Sequence, residues 1–205
     1  MSRKEGITAI ELLVAAGVII LLGVIIISVF NNFREPVELN SAAEVGVSAL
    51  ARARGQTLSA KNAQQYGIGF ATTSATLFRG SAYSAADSEN KETLFPSGAE
   101  LACISLNGGG ANVVFDRLTG ETNNYGSVIF RLVNKPETMK KVAILPSGVA
   151  RIMEPPSDMV AYWDFEEASG NTVYDRTAGG NNGTLTNMDA ATDRITGGKV
   201  CRALD

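Results

Sequence analysis

Apolar and polar residues are distributed very unevenly along the chain. A short charged leader, residues 1–6, precedes an apolar run over residues 7–30 in which Glu11 is the one charged member. About 20 apolar residues rising about 1.5 Å each cover the roughly 30 Å hydrocarbon core of a bilayer, so the run predicts a transmembrane helix. Arg3 and Lys4 stand just before it, and basic residues of this kind stay on the cytoplasmic side. The expected placement is therefore single-pass in the cytoplasmic (inner) membrane, with the N-terminus cytoplasmic and the body extracytoplasmic. A cleaved secretory signal would have a core of about 7 to 15 apolar residues followed by small ones. Here Asn31, Asn32, Phe33 and Arg34 follow a longer run.

Helical spacing continues over residues 31–65, with Val37, Leu39, Ala42, Ala43, Val45, Val47, Leu50 and Ala51 compatible with one apolar face. Pro36 lacks an N–H and disfavours helix at Glu35, which predicts either one bent helix or two helices with a hinge. From Tyr66 the period shifts toward two. Strands are expected over 66–70, 75–79, 101–106, 112–115, 127–132, 141–145 and 149–153, with residues 80–91 as an exposed loop. Asn107 to Gly110, Thr119-Gly120, Asn123-Asn124 and Pro146-Ser147-Gly148 supply the turns. Residues 66–153 thus read as a β-rich head, residues 154–157 with Pro155 and Pro156 as a stiff linker, and 158–205 as a further unit. The fold class is α+β: a long N-terminal helix packed on an antiparallel sheet, followed by an all-β segment.

Composition narrows the chemistry. Of 205 residues 45% are hydrophobic, much of that in the first 30, which leaves a polar, glycine-rich body. The net charge is −3, or −4 once Arg3, Lys4 and Glu5 are removed, and no basic stripe suggests nucleic acid. Histidine is absent, which removes Ser-His-Asp and Cys-His catalysis and the commonest zinc ligand. Cys103 and Cys201 make no metal motif, and their assignment to different units argues against a bond between them.

A carboxylate at membrane depth costs roughly 2.5 kcal/mol or more unless it neutralises, snorkels or finds a partner. Glu11 is then either an acid near the end of an ordinary anchor or one half of a pair with another subunit. The stretch Gly6-Ile7-Thr8-Ala9-Ile10-Glu11 resembles the class III signal of type IV pilins and type II secretion pseudopilins. The resemblance implies that a prepilin peptidase cuts between Gly6 and Ile7 and methylates the Ile7 nitrogen. Glu11, fifth in the mature chain, would then pair with the freed ammonium of a neighbouring subunit. Ile7 departs from the family's usual phenylalanine. Other pilin or pseudopilin subunits, membrane lipid and an inner-membrane assembly platform are the partners so implied.

Two further resemblances follow along the chain. Phe115-Asp116-Arg117-Leu118-Thr119-Gly120, then Gly126 to Phe130, then Lys141 to Ile152, is similar to minor pseudopilins of the GspH/FimT type. Tyr162-Trp163-Asp164-Phe165, Tyr174-Asp175 and Gly183-Thr184-Leu185 resemble the opening of LamG-like, concanavalin A-like jelly rolls. A complete jelly roll needs about three times the residues present, so this segment reads as a partial domain, either cut short or degenerate.

Asp164, Glu166 and Asp175 are the acids of that segment that could hold a ligand or Ca2+, although residues 175–183 do not fit an EF-hand loop. Strand alternation would place Asp164 and Glu166 on one face and Glu167 on the other. The paired acids lack the glucanase pattern, so no catalytic residue, no resident metal and no enzyme activity are expected. Trp163 reads as core or as a sugar platform. Two functions follow. One is a structural subunit of a type IV pilus or type II secretion pseudopilus displaying a LamG-like domain outside the cell. The other is a membrane-anchored lectin-like protein that binds glycan or a surface protein without assembling.

Overall fold

The computed structural model describes residues 9–59, 63–154, 158–167, 170–177, 179–189, 192–195 and 203–204, with the side chains of 24–35, 194–195 and 203–204 outside the description. The chain divides into two compact units, residues 1–37 and 38–205. Helix α1 (Ala9–Leu58) begins in the first and ends in the second, with Pro36 inside it just before the division.

In the first unit the described side chains over residues 9–22, Glu11 apart, are apolar and exposed. Ile10, Leu12, Leu13, Val14, Val18, Ile19, Ile20, Leu21 and Leu22 are all exposed. Among the described residues, however, no helix is long and apolar enough to cross a membrane. This overturns the expected transmembrane helix and, with it, the expected single-pass placement in the cytoplasmic membrane.

The second unit packs residues 38–58 of α1 against two antiparallel sheets. The strands are rich in apolar residues that are mostly buried, and turns at glycine and proline separate them. The first sheet has the order β3-β2-β1-β5, from β1 (Tyr66–Phe70), β2 (Ser74–Arg79), β3 (Lys91–Leu94) and β5 (Asn112–Val114). The second has the order β4-β6-β7-β8, from β4 (Ala99–Leu106), β6 (Gly126–Leu132), β7 (Met139–Ile144) and β8 (Ala150–Met153). Glu100 and Arg131 face each other across β4 and β6, with 2.7 Å between Oε1 and Nη2. Strand β3 was not foreseen in the polar stretch, because its four residues are all exposed and it pairs only with β2 at the edge. The segment before β3 is a largely exposed loop, as expected. Tyr83 meets Phe78 edge-on, with centroids 5.5 Å apart, and helps bury it.

The core lies between helix and sheets. Leu39, Ala42, Ala43, Leu50 and Ala53 recur at three- and four-residue spacings and present one face to Ile68, Leu77, Val113, Phe115, Val128, Phe130 and Val142. The contact face of the helix is built of small residues, so the backbone approaches closely. A methyl group on Gly46 would stand 2.9 Å from Cζ of Phe130, whose ring is buried.

At the helix end, the Thr57 hydroxyl donates to the Ala53 carbonyl at 2.9 Å and accepts from the Tyr66 N–H at 3.0 Å, tying the last turn to β1. Nearby, Arg54 Nε donates to the Gly120 carbonyl at 3.0 Å, and Gly148, at φ +77°, stacks so closely on that carbonyl that any Cβ would collide with it.

The expected fold class is corrected in two more respects. The part of α1 in the sheet-bearing unit, residues 38–58, meets two sheets instead of one. The C-terminal segment, expected as a partial all-β jelly roll, holds only two short ribbons among the described residues. These are β9 (Thr172–Val173) with β10 (Gly183–Thr184), and β11 (Arg194–Ile195) with β12 (Ala203–Leu204). Two-residue strands cannot form a layer with its own hydrophobic face.

Two substitutions test this packing. Gly46→Val is expected to destabilise the second unit by about 2 kcal/mol, because the added methyls overpack a site closed by Phe130. Thr57→Val should cost about 1–3 kcal/mol, since the buried Tyr66 N–H loses its acceptor, while Thr57→Ser should retain most of the stability. Denaturant midpoints read both.

Candidate functional site

Three places were expected to carry function, and the structure treats them differently. Gly6 and Ile7, the expected cleavage and methylation positions, lie outside the described residues. Glu11 stands in the first turn of α1, where the partial positive charge of a helix N-terminus favours a carboxylate. Ile10, Leu12, Leu13 and Val14 around it are each more than half exposed. Together with the exposed Val18 and Leu22, at 100° per residue, these positions reach every side of the helix. The stretch is therefore apolar all round, unlike the one-sided face of residues 39–53.

The acids of the C-terminal segment converge on a cation. Arg176 places Nε 3.0 Å from both carboxylate oxygens of Asp164, and Nη2 2.9 Å from Asp164 Oδ1 and 3.2 Å from Glu167 Oε1. Glu167, almost wholly buried, also accepts from the Tyr174 N–H at 2.9 Å. The expected pairing of Asp164 with Glu166 on one strand face is thereby corrected, because Asp164 and Glu167 share a partner instead. The reason is local. Residues 161–167 form no strand, and Phe165 adopts φ +57°, which breaks the alternation a strand would impose. Glu166 is buried beside them, and its N–H donates to Asp164 Oδ1 at 3.3 Å. Sequence spacing alone did not reveal Arg176 as the centre. The signal was present in an arginine directly after Asp175, nine residues beyond Glu167 and twelve beyond Asp164.

Asp175 organises the turn. It accepts from the N–H groups of Tyr162 and Thr177 at 2.9 Å each and of Asn181 at 2.9 Å, and from the Thr177 hydroxyl. Burial pushes its pKa upward, but these donors outweigh that push and hold the carboxyl well below the usual carboxylate range. Tyr162 is shifted the other way, raised by burial first and then by the charges of Asp164 and Glu166, with Arg176 opposing. Trp163 uses its indole N–H internally, donating to the Asn181 carbonyl at 2.9 Å.

Among the described residues no group of three His, Cys, Asp or Glu is placed to hold a metal ion. The carboxylates named here face N–H donors and a guanidinium, a set that fixes chain geometry. A groove of about 320 Å³ beside β2 and β3 has a mixed lining that includes Glu44, Ser48, Arg52 and Lys91.

Cys103 is disulfide-bonded. Cys201 lies outside the described residues.

No protein-family model matches the chain, and neither the curated proteins nor the solved structures contain a match.

The Asp175 turn gives an acid signature. A carboxylate whose pKa is lowered by folding contributes stability above its unfolded value, here 3.8, and that contribution is lost as pH falls below it. The amides of Tyr162 and Asn181 should therefore lose protection, relative to the exchange rate of an unstructured chain at the same pH, as the pH drops through this range. Asp175→Asn should show that loss already at neutral pH, with a flatter acid dependence.

Proposed function

We propose that the chain is a structural, pilin-like filament subunit, processed by a prepilin peptidase between Gly6 and Ile7 and assembled through its N-terminal helix. The observation that carries this reading is the all-round apolar surface of residues 9–22, from Ile10 to Leu22, in a unit separate from the folded body. Apolar surface of this extent needs a cover. A helix with one apolar stripe would be covered by its own domain, whereas a helix apolar on every side fits a bundle in which several copies surround each one.

Glu11 gives such a bundle its register. In an apolar bundle a carboxylate is costly alone and favourable beside a cation, so the freed N-terminal ammonium of an adjacent copy would draw subunits into one axial offset. The head, with its two sheets, would then stand on the outside of the filament and carry the C-terminal segment with it. The leader motif around Gly6 and the charge at Glu11 support the same reading from the sequence.

The test is expression in cells that assemble type IV filaments. The mature N-terminus should be N-methylated Ile7, and Glu11→Ala should be processed yet lost from the sheared filament fraction by roughly tenfold or more, as expected when a buried charge loses its partner. A mature chain that begins elsewhere, or Glu11→Ala filaments as abundant as those of the unchanged chain, would overturn the proposal.

A further inference from the structure

Beside its core face, α1 carries a second stripe that the sheets leave partly open. Ser41, Val45, Ser48 and Arg52 recur at three- and four-residue spacings and so line one side of the helix. Across from them stand two strands. Leu77 pairs with Lys91 and Ala75 with Thr93 between β2 and β3, and directly opposed residues present their side chains to the same face of a sheet. Helix stripe and strand face are the walls of the groove of about 320 Å³, and a recess of about 70 Å³ prolongs it past Leu77 and Lys91 toward Gln56 and Arg79.

The groove is apolar below and charged at its rim. Leu77 and Ala75 are buried, Val45 and Ala49 half-buried, and Glu44, Arg52 and Lys91 exposed. Arg52 and Lys91 stand on opposite walls, and among the described residues neither side chain makes an ion pair or a hydrogen bond. Arg79, the next cation along the groove, is already held by Glu89 at 3.1 Å. Glu44 lies eight residues before Arg52, about 12 Å along the helix at about 1.5 Å per residue, and it too has no ion partner among the described residues.

We propose that this groove docks an extended segment of a partner protein that carries a basic residue and an acidic residue about four positions apart, with apolar side chains between them. The order of charges along the walls carries the argument. An acidic side chain seated between Arg52 and Lys91 meets two cations that the chain itself does not neutralise, and charge-assisted hydrogen bonds of this kind are the strong ones. At the Glu44 end the sign reverses, so a basic side chain fits there. About 12 Å between the two ends corresponds to about four residues of extended chain at about 3.3 Å each. A helix covering that distance would bring twice as many residues at a diameter of about 10 Å, more than a groove of about 320 Å³ can seat. Between the charged ends, apolar side chains of the segment reach Val45, Ala49 and Leu77. The proposal is independent of how the N-terminal part of α1 is used.

The full chain, kept in detergent micelles to cover the apolar helix, provides the test. The probe is a dye-labelled pentapeptide blocked at both ends, with lysine first, glutamate last and leucine, valine and leucine between, read by fluorescence polarisation. It should saturate the chain below about 1 mM, and a peptide of the same composition with its two charges adjacent should bind roughly tenfold more weakly. Arg52→Glu combined with Lys91→Glu should weaken binding of the first peptide by roughly tenfold or more, and should gain binding of a peptide with lysine at both ends, which a misfolded chain would not do. Ala49→Trp, which fills the floor without altering a charge, should block every peptide. Absence of saturation up to about 1 mM, equal affinity for the two charge orders, or binding unchanged in the charge-reversed chain would overturn the proposal. So would chain dimers that Arg52→Glu alone dissociates, since the groove would then hold a second copy of this chain.

Discussion

The close approach of residues 38–58 of α1 to the two sheets is the constraint on which the sheet-bearing unit depends. It is possible because the contact face is made of Ala42, Ala43, Gly46 and Ala53, with larger residues at Leu39 and Leu50. Small side chains on the helix leave room for large ones on the strands, above all Phe130 and Phe115, both fully buried. Phe95, from the connection between β3 and β4, meets Phe130 edge-on at 5.0 Å and thereby fastens the crossing from one sheet to the other. The ends are then fixed by polar groups: the Thr57 hydroxyl to β1, and Arg54 to the turn at Gly120.

Much of this was legible in the sequence, for identifiable reasons. The alternation in Tyr66 to Phe70 and the turn residues at Gly120 and Gly148 placed strands near where they lie, because side-chain period and backbone freedom are local properties. Strand β3 was illegible because Lys91, Glu92, Thr93 and Leu94 bury nothing, so no pattern marks them, and only pairing with β2 defines the strand. The separation of one sheet into two was equally hidden. Strand order depends on contacts between distant segments, such as β1 with β5, that no short window contains.

The C-terminal segment was misjudged for a different reason. Its aromatic and acidic residues were read by resemblance, which assumes that each performs the task it would have in a complete jelly roll. In this chain the same residues serve the turn itself: Asp175 gathers three backbone N–H groups, and Asp164 and Glu167 neutralise Arg176. The positive φ at Phe165 is the local event that redirects them, and nothing in an aromatic residue between two acids announces it. The apolar run after the leader was the opposite case. The residues are plainly apolar, but the length and environment of the helix they form are not settled by composition.

The edge strand β3 has a consequence for how copies of this chain can meet. An open edge offers unpaired backbone groups to any passing strand, and a short, fully exposed edge carrying Lys91 and Glu92 discourages that approach, since a second strand would have to bury or oppose their charges. Sheet-to-sheet aggregation through this side of the head is thereby disfavoured. Crowding many heads along a common axis is tolerable for a protein guarded in this way, because the contacts that would turn an ordered array into an amyloid-like one are blocked at the strand most open to them.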